Sequence, residues 1–140
     1  MKLRRKHFFL ILILLIATGV ISFALGRRSS SRTRMPYSKW PQVQFKDIRI
    51  LIASDSRLAN QGFAGAGEKD FEKTLMVFPN ILPGTAFTNE NQGFGPVIRD
   101  LKIVYLDASM NVLKEDVMVK ETGTSVAPEG TSLAIEGPLP

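Results

Sequence analysis

One stretch constrains this chain more than any other: residues 8–25 are almost unbroken apolar sequence, and thirteen of those eighteen residues are Leu, Ile, Val or Phe. A helix of that length rises through about 27 Å, close to the hydrocarbon thickness of a bilayer. At bilayer-centre transfer values the large apolar residues favour insertion by about 4–8 kcal/mol, and Thr18, Gly19 and Ser22 offset little of it. A buried helix of a soluble protein is the weaker reading, because the run is apolar on every face and flanked by charge. The expectation is a single transmembrane anchor or signal segment over residues 1–26, with Phe8, Leu15, Ile16 and Leu25 among the membrane-spanning residues and membrane lipid as its partner.

The run is longer than a usual secretory apolar region, which favours a retained anchor. Ser22-Phe23-Ala24 nevertheless offers a small-x-small cleavage site, and cleavage there would secrete the remainder. Lys2, Arg4, Arg5 and Lys6 precede the run, and Arg27, Arg28, Arg32 and Arg34 follow it. The flanks nearly balance, but a short basic amino terminus usually stays in the cytoplasm, which predicts an extracytoplasmic domain.

The net charge of +5 is misleading about that domain. Eight of the 18 basic residues lie before position 35, where there is no acidic residue, so the rest carries 10 basic against 13 acidic side chains. A nucleic-acid face would have to form against this acidic balance, and no nucleic-acid partner is expected. There is no cysteine, which excludes disulfides, thiolate metal sites and cysteine nucleophiles. His7 is the single histidine and sits beside the apolar run, so the domain has no imidazole for a Ser-His-Asp triad, a His-ligated zinc or a proton shuttle. No metal and no cofactor are expected.

Residues 27–44 are rich in Ser, Arg and Pro without an apolar period, and they read as a linker. Within it, Tyr37 and Trp40 are candidates for the membrane interface. The domain is expected over residues 45–140. Ile48, Ile50 and Ile52 alternate as a half-buried strand does. Ser54-Asp55-Ser56 can cap a short helix over residues 57–61, which Gly62 can end. Further strands are expected over 74–78, 85–88, 99–106, 112–119 and 131–135. In the fourth of these six, Leu101, Ile103 and Tyr105 occupy one face and Val104 and Leu106 the other, the pattern of a central strand. Residues 107–111 read as a hairpin turn. The fold class predicted is mainly β, of α+β type: a small curled antiparallel sheet or barrel with one short helix, preceded by a single transmembrane helix.

From residue 48 to 136 the chain resembles the uncharacterised ACR family, also catalogued as domain of unknown function 192. The resemblance rests on Ala53-Ser54-Asp55-Ser56-Arg57 and Gly62-Phe63, where that family has A-D-T-P-E-x-R and G-L-M. It continues through Leu75-Met76-Val77-Phe78-Pro79 for M-L-F-x-F, residues 101–107 for L-D-I-x-F-L-D, and Ala134-Ile135-Glu136 for A-L-E. Phe87-Thr88-Asn89-Glu90-Asn91 stands at the family's F-W-M-K-N but lacks its Trp and Lys, and Lys102 replaces an aspartate. The arginine expected after G-L-M is also missing, and residues 92–97 look like an insertion. The resemblance implies a divergent member with a small β-rich fold, often exported, and no particular reaction.

The most site-like stretch is the loop 88–96, where amide and carboxylate groups sit among glycines beside an aromatic ring. Phe87, Asn89, Glu90, Asn91 and Phe94 are the candidate ligand-binding residues, by hydrogen bonding and stacking on a polar ligand such as a glycan. The competing reading is a polar loop with Phe94 folded beneath it. The glycines at 62, 65 and 67 superficially suggest a phosphate loop, but they lack Gly-Lys-Ser/Thr and follow a helix, so a helix end and a turn explain them better. Glu68/Asp70 and Glu115/Asp116 could pair for hydrolysis, yet adjacent strand residues point to opposite faces, and solvated surface charge is the better account. No catalytic residue is assigned. The functional expectation is a membrane-tethered extracytoplasmic binding or accessory module in the cell envelope, meeting an envelope protein or glycan. The alternatives are a carboxylate-dependent enzyme acting on an envelope glycan and a structural envelope component.

Overall fold

The computed structural model describes residues 33–139. The transmembrane expectation for Phe8, Leu15, Ile16 and Leu25 lies outside the described residues, and among those described no helix is long and apolar enough to cross a membrane. Eight strands form: β1 Gln42–Phe45, β2 Ile48–Ile52, β3 Thr74–Pro79, β4 Ala86–Thr88, β5 Leu101–Leu106, β6 Val112–Met118, β7 Thr124–Val126 and β8 Leu133–Pro138. Six of them make one sheet in the order β1-β2-β3-β8-β5-β6, and β4 pairs with β7 in a small second sheet. The molecule is mainly β, with a curled sheet and a few short helices.

The sheet is mixed rather than antiparallel, which corrects the expectation. Strand β2 runs parallel to β3, with Ile50 opposite Leu75. A parallel pair needs a crossover of a dozen or more residues, and residues 53–73 supply it. That crossover carries two short helices instead of the one expected, α1 Ser56–Gln61 and α2 Glu68–Phe71. The remaining sheet neighbours are antiparallel, including β8 between β3 and β5. The hairpin from β5 to β6 turns at residues 107–111, where Asp107 Oδ1 accepts from the amides of Ser109 (2.9 Å) and Asn111 (2.8 Å).

Strand β5 is buried on both faces apart from Lys102. Leu101, Ile103 and Tyr105 join the main core with Leu51, Met76, Phe78 and Ala134, while Val104 and Leu106 join a second cluster with Ile48, Ile50, Val77 and Ile135 on the other face. Period-two alternation places Ala134 and Glu136 of β8 on the main-core face and Ile135 on the opposite one.

The linker reading of residues 27–44 does not hold where the structure describes it. Tyr37 is 4% exposed and Trp40 3% exposed, both in the main core. Their rings meet edge to face at 5.3 Å, and Tyr37 meets Phe63 at 6.3 Å. Gln61 clasps the same segment from α1: its Oε1 accepts from the Met35 amide (2.7 Å) and its Nε2 donates to the Met35 carbonyl (2.8 Å). Two large aromatic rings and a reciprocal amide pair outweigh the entropy of ordering a Pro- and Ser-rich stretch. The folded unit therefore begins ahead of residue 45, and β1 belongs to it.

Candidate functional site

Helix α1 begins where Asp55, in extended conformation, accepts the Leu58 amide on its Oδ1 (2.9 Å) and so satisfies one of the free donors of the first turn. It ends at Gly62, whose φ of +48° turns the chain away. Leu58 and Gln61 are its buried side chains. Beyond it, the loop 62–67 lies backbone to backbone against the loop 93–96. The Gly65 amide donates to Pro96 O (3.0 Å). A Cβ on Gly65, which has φ +69°, would come within 2.2 Å of Phe94 O. Close approach explains Gly65, and the end of α1 explains Gly62.

Between α1 with its following loop and β4 with the loop 88–96 lies a cleft of about 490 Å³. Its lining includes Phe78 of β3, Leu101 of β5 and Glu136 of β8 from the sheet. Arg57, Asn60 and Gln61 contribute from α1, and Phe63 from the loop that follows. Phe87, Asn89, Glu90 and Phe94 line the other side. Four of the five candidate ligand-binding residues thus come together here, while Asn91 does not line the cleft.

Their roles differ from one another. Phe87 is half-buried and packs edge to face on Phe78 (5.0 Å) and Tyr105 (5.9 Å). Asn89 is buried, and its Nδ2 donates to the carbonyls of Met118 (3.1 Å) and Val119 (3.0 Å), pinning the loop to the end of β6. Asn91 Oδ1 accepts from Gly93 (2.9 Å) and Gly95 (3.2 Å), which shapes the loop from within. Glu90 is exposed, and Phe94 is half-buried against the main core.

Glu136 is the residue that sequence reasoning missed as a site. It is 4% exposed, on a strand hydrogen-bonded on both sides, with Met76 and Ile103 as its register partners. None of the side-chain hydrogen bonds or ion pairs among the described residues involves it. Burial pushes its carboxyl up to about 8, with no opposing cation to hold it down. A carboxyl in that state is a neutral hydrogen-bond donor near neutral pH and an anion once a cation arrives. The sequence did carry a signal: Glu136 stands in phase with buried Ala134 in an otherwise apolar strand.

Two tyrosines flank this carboxyl, and both are committed elsewhere. Tyr37 OH donates to Gly62 O (2.7 Å), and Tyr105 OH donates to Ser125 Oγ (2.9 Å), which in turn donates to Asp116 Oδ2 (2.7 Å). Burial raises both phenols to about 12. The carboxylates weighed for hydrolysis sit in ion pairs, Glu68 with Arg99 (3.0 Å), Glu115 with Lys102 (2.5 Å) and Asp116 with Lys114 (2.7 Å) at the surface and Asp70 with the half-buried Arg34 (3.6 Å). Among the described residues no three His, Cys, Asp or Glu side chains gather to hold a metal ion.

No family model and no curated protein matches the chain. Among solved structures, it is similar to a protein of unknown function from Novosphingobium aromaticivorans DSM 12444, with a TM-score of 0.52 and 17% sequence identity. The match covers 65% of this chain and 63% of that one, so this chain spans less than two thirds of that protein's length. At this identity the likeness is one of fold.

Proposed function

We propose that this chain is a membrane-tethered, extracytoplasmic binding or accessory module of the cell envelope, and that the cleft above Glu136 is where it meets its ligand. The observation that carries the binding part is a single one: a buried carboxyl without a partner, lining a cleft walled by aromatic rings. A native fold leaves such a group unpaired at a cost, and a binding site is where that cost has a use. The tether rests on the apolar run 8–25, and the export direction on the basic amino terminus. Divergent membership of the uncharacterised ACR family belongs to the same proposal and adds no reaction to it.

The test is made on the full chain in its native cell. Alkaline carbonate should leave it in the membrane pellet, and protease added outside should digest residues beyond 33 without lysis. Proximity labelling from the domain should then enrich envelope proteins. Full-length, uncleaved chain found free in the cytosol would end the proposal.

A second reading has one observation in its favour, the presence of both Glu90 and Glu136 in the lining of the same cleft. A carboxylate-dependent enzyme acting on an envelope glycan needs one protonated and one ionised carboxyl. Glu90→Ala separates the two readings: an enzyme loses turnover while its ligand affinity largely survives, and a binding module has no turnover to lose.

A further inference from the structure

We infer that the cleft above Glu136 is a receptor site for a small organic cation, an ammonium group carried on a compact apolar or aromatic body. This rests on the binding-module reading and names the chemistry of its ligand.

The surroundings of the Glu136 carboxyl determine what can complete it. From the segment before β1, Tyr37 faces it with its hydroxyl committed to Gly62 O, while Arg34 donates its Nε to Ala64 O (3.1 Å) and holds its buried Nη2, which makes no hydrogen bond, 3.6 Å from Asp70. Helix α1 presents Gln61, whose amide is spent on Met35, and Arg57, which is exposed and donates to Thr33 O (3.3 Å). Strand β3 offers Met76 and β5 offers Ile103, both apolar, while Tyr105 is held by Ser125 and, through it, by Asp116 with its partner Lys114. From the loop 88–96 the titratable group is Glu90, another acid. No described basic side chain reaches Glu136, and desolvation alone sets its proton affinity.

A buried carboxyl that lacks an internal cation is completed by an external one, because a cation returns to it the charge stabilisation that burial removed. Phe63, Phe78, Phe87 and Phe94 supply the walls, and aromatic faces attract ammonium ions while excluding water. The field of the domain agrees in sign, with 10 basic against 13 acidic residues from position 35 onward. An anionic ligand seated at Glu136 would face that buried acid, with Glu90 and Arg57 opposing one another at the exposed part of the lining. A neutral ligand could accept the Glu136 proton, but it would leave the acidic field and the aromatic walls without a role.

Binding a cation requires Glu136 to give up its proton. Affinity should therefore rise with pH by about tenfold per unit below about 8, and level off above it. This slope belongs to the carboxyl, because a phenylethylammonium probe keeps its own charge across the range.

The experiment titrates the full chain in micelles with 2-phenylethylammonium, and separately with its neutral analogue 2-phenylethanol, at pH 6.5, 7.5 and 8.5. Amide and methyl resonances of the cleft report binding. The expected result is at least tenfold preference for the ammonium at pH 8.5, about tenfold tightening from pH 6.5 to 7.5, and loss of the preference in Glu136→Gln. Equal unfolding midpoints of wild type and Glu136→Gln at pH 5 establish that the variant folds. If the alcohol binds as well as the ammonium, or the pH slope is absent, or Glu136→Gln keeps the preference, the cation inference fails while the cleft stands as a binding site. Silence of the cleft toward both probes overturns the cation site and removes the observation on which the binding-module reading leans.

Discussion

The hydroxyl of Tyr37 donates to the carbonyl oxygen of Gly62 over 2.7 Å, joining the segment that leads out of the apolar run to the end of α1 and thereby to one wall of the cleft. Tyr37→Phe removes this donor and leaves a carbonyl at the helix end without its partner. A loss of about 1–3 kcal/mol in folding stability is expected, read from denaturant midpoints. Ser38→Ala, at an exposed neighbour, should stay within about 0.5 kcal/mol of wild type. Equal midpoints for all three proteins would mean that the segment is a stalk after all.

The chain Tyr105–Ser125–Asp116 predicts a coupling. Ser125→Ala removes the acceptor of a fully buried phenol, and should cost about 1–3 kcal/mol. Tyr105→Phe in the same protein removes the stranded hydroxyl, so the double variant should be less destabilised than the sum of the two single ones. A double-mutant cycle by chemical denaturation checks this. Strict additivity would refute the pairing.

Gly65 is positioned by contact rather than by phosphate chemistry. Its φ is +69°, and a Cβ there would overlap Phe94 O at 2.2 Å. Gly65→Ala should therefore destabilise by at least about 1–2 kcal/mol from the left-handed backbone alone, with more from the overlap. Separation of the two loops should also shift the resonances of Phe94 and Pro96. Gly84, with φ +82° and nothing within 4 Å of its Cβ position, is the control in which only the backbone cost applies.

Stability should fall as pH rises through the neutral range, and Glu136 is the reason. Burial in the folded chain pushes its carboxyl from an ordinary 4.5 up to about 8. Between these values the folded state binds more protons than the unfolded state, so unfolding free energy declines with pH across that window and flattens beyond it. Glu136→Gln removes the titration and should flatten that part of the profile, matching wild type near pH 5 and exceeding it by a few kcal/mol near pH 8.5. Denaturant unfolding at both pH values measures the difference. A wild-type profile parallel to that of the variant would contradict it.

How far these features could be read from sequence depends on how local their causes are. Leu101, Ile103 and Tyr105 alternate against Val104 and Leu106, and such alternation is enough to set β5 in the middle of a sheet. Asp55 and Gly62 mark the two ends of α1 by the chemistry of single residues. The parallel pairing of β2 with β3 is not local, since it depends on the path taken by residues 53–73. Strand β7 has three residues, too few for any period to emerge, and β1 is masked by the Ser- and Pro-rich stretch before it. Tyr37 enters the core through long-range contacts with Gly62 and Phe63, with Trp40 packed on its ring, and composition carries no trace of these. At the site, Phe87, Asn89, Glu90 and Phe94 were legible as one loop, but Glu136 reaches the same cleft from a strand 42 residues beyond Phe94, placed there by sheet register.

Carbon-13 carboxyl titration of the full chain in micelles, with Glu136→Gln to assign the resonance, addresses the unpartnered acid directly. A single glutamate whose midpoint lies close to 8, in a cleft free of ligand, is the predicted result. Titration of every glutamate in the ordinary range near 4.5 would contradict it, since Glu136 would then have water or a cation beside it.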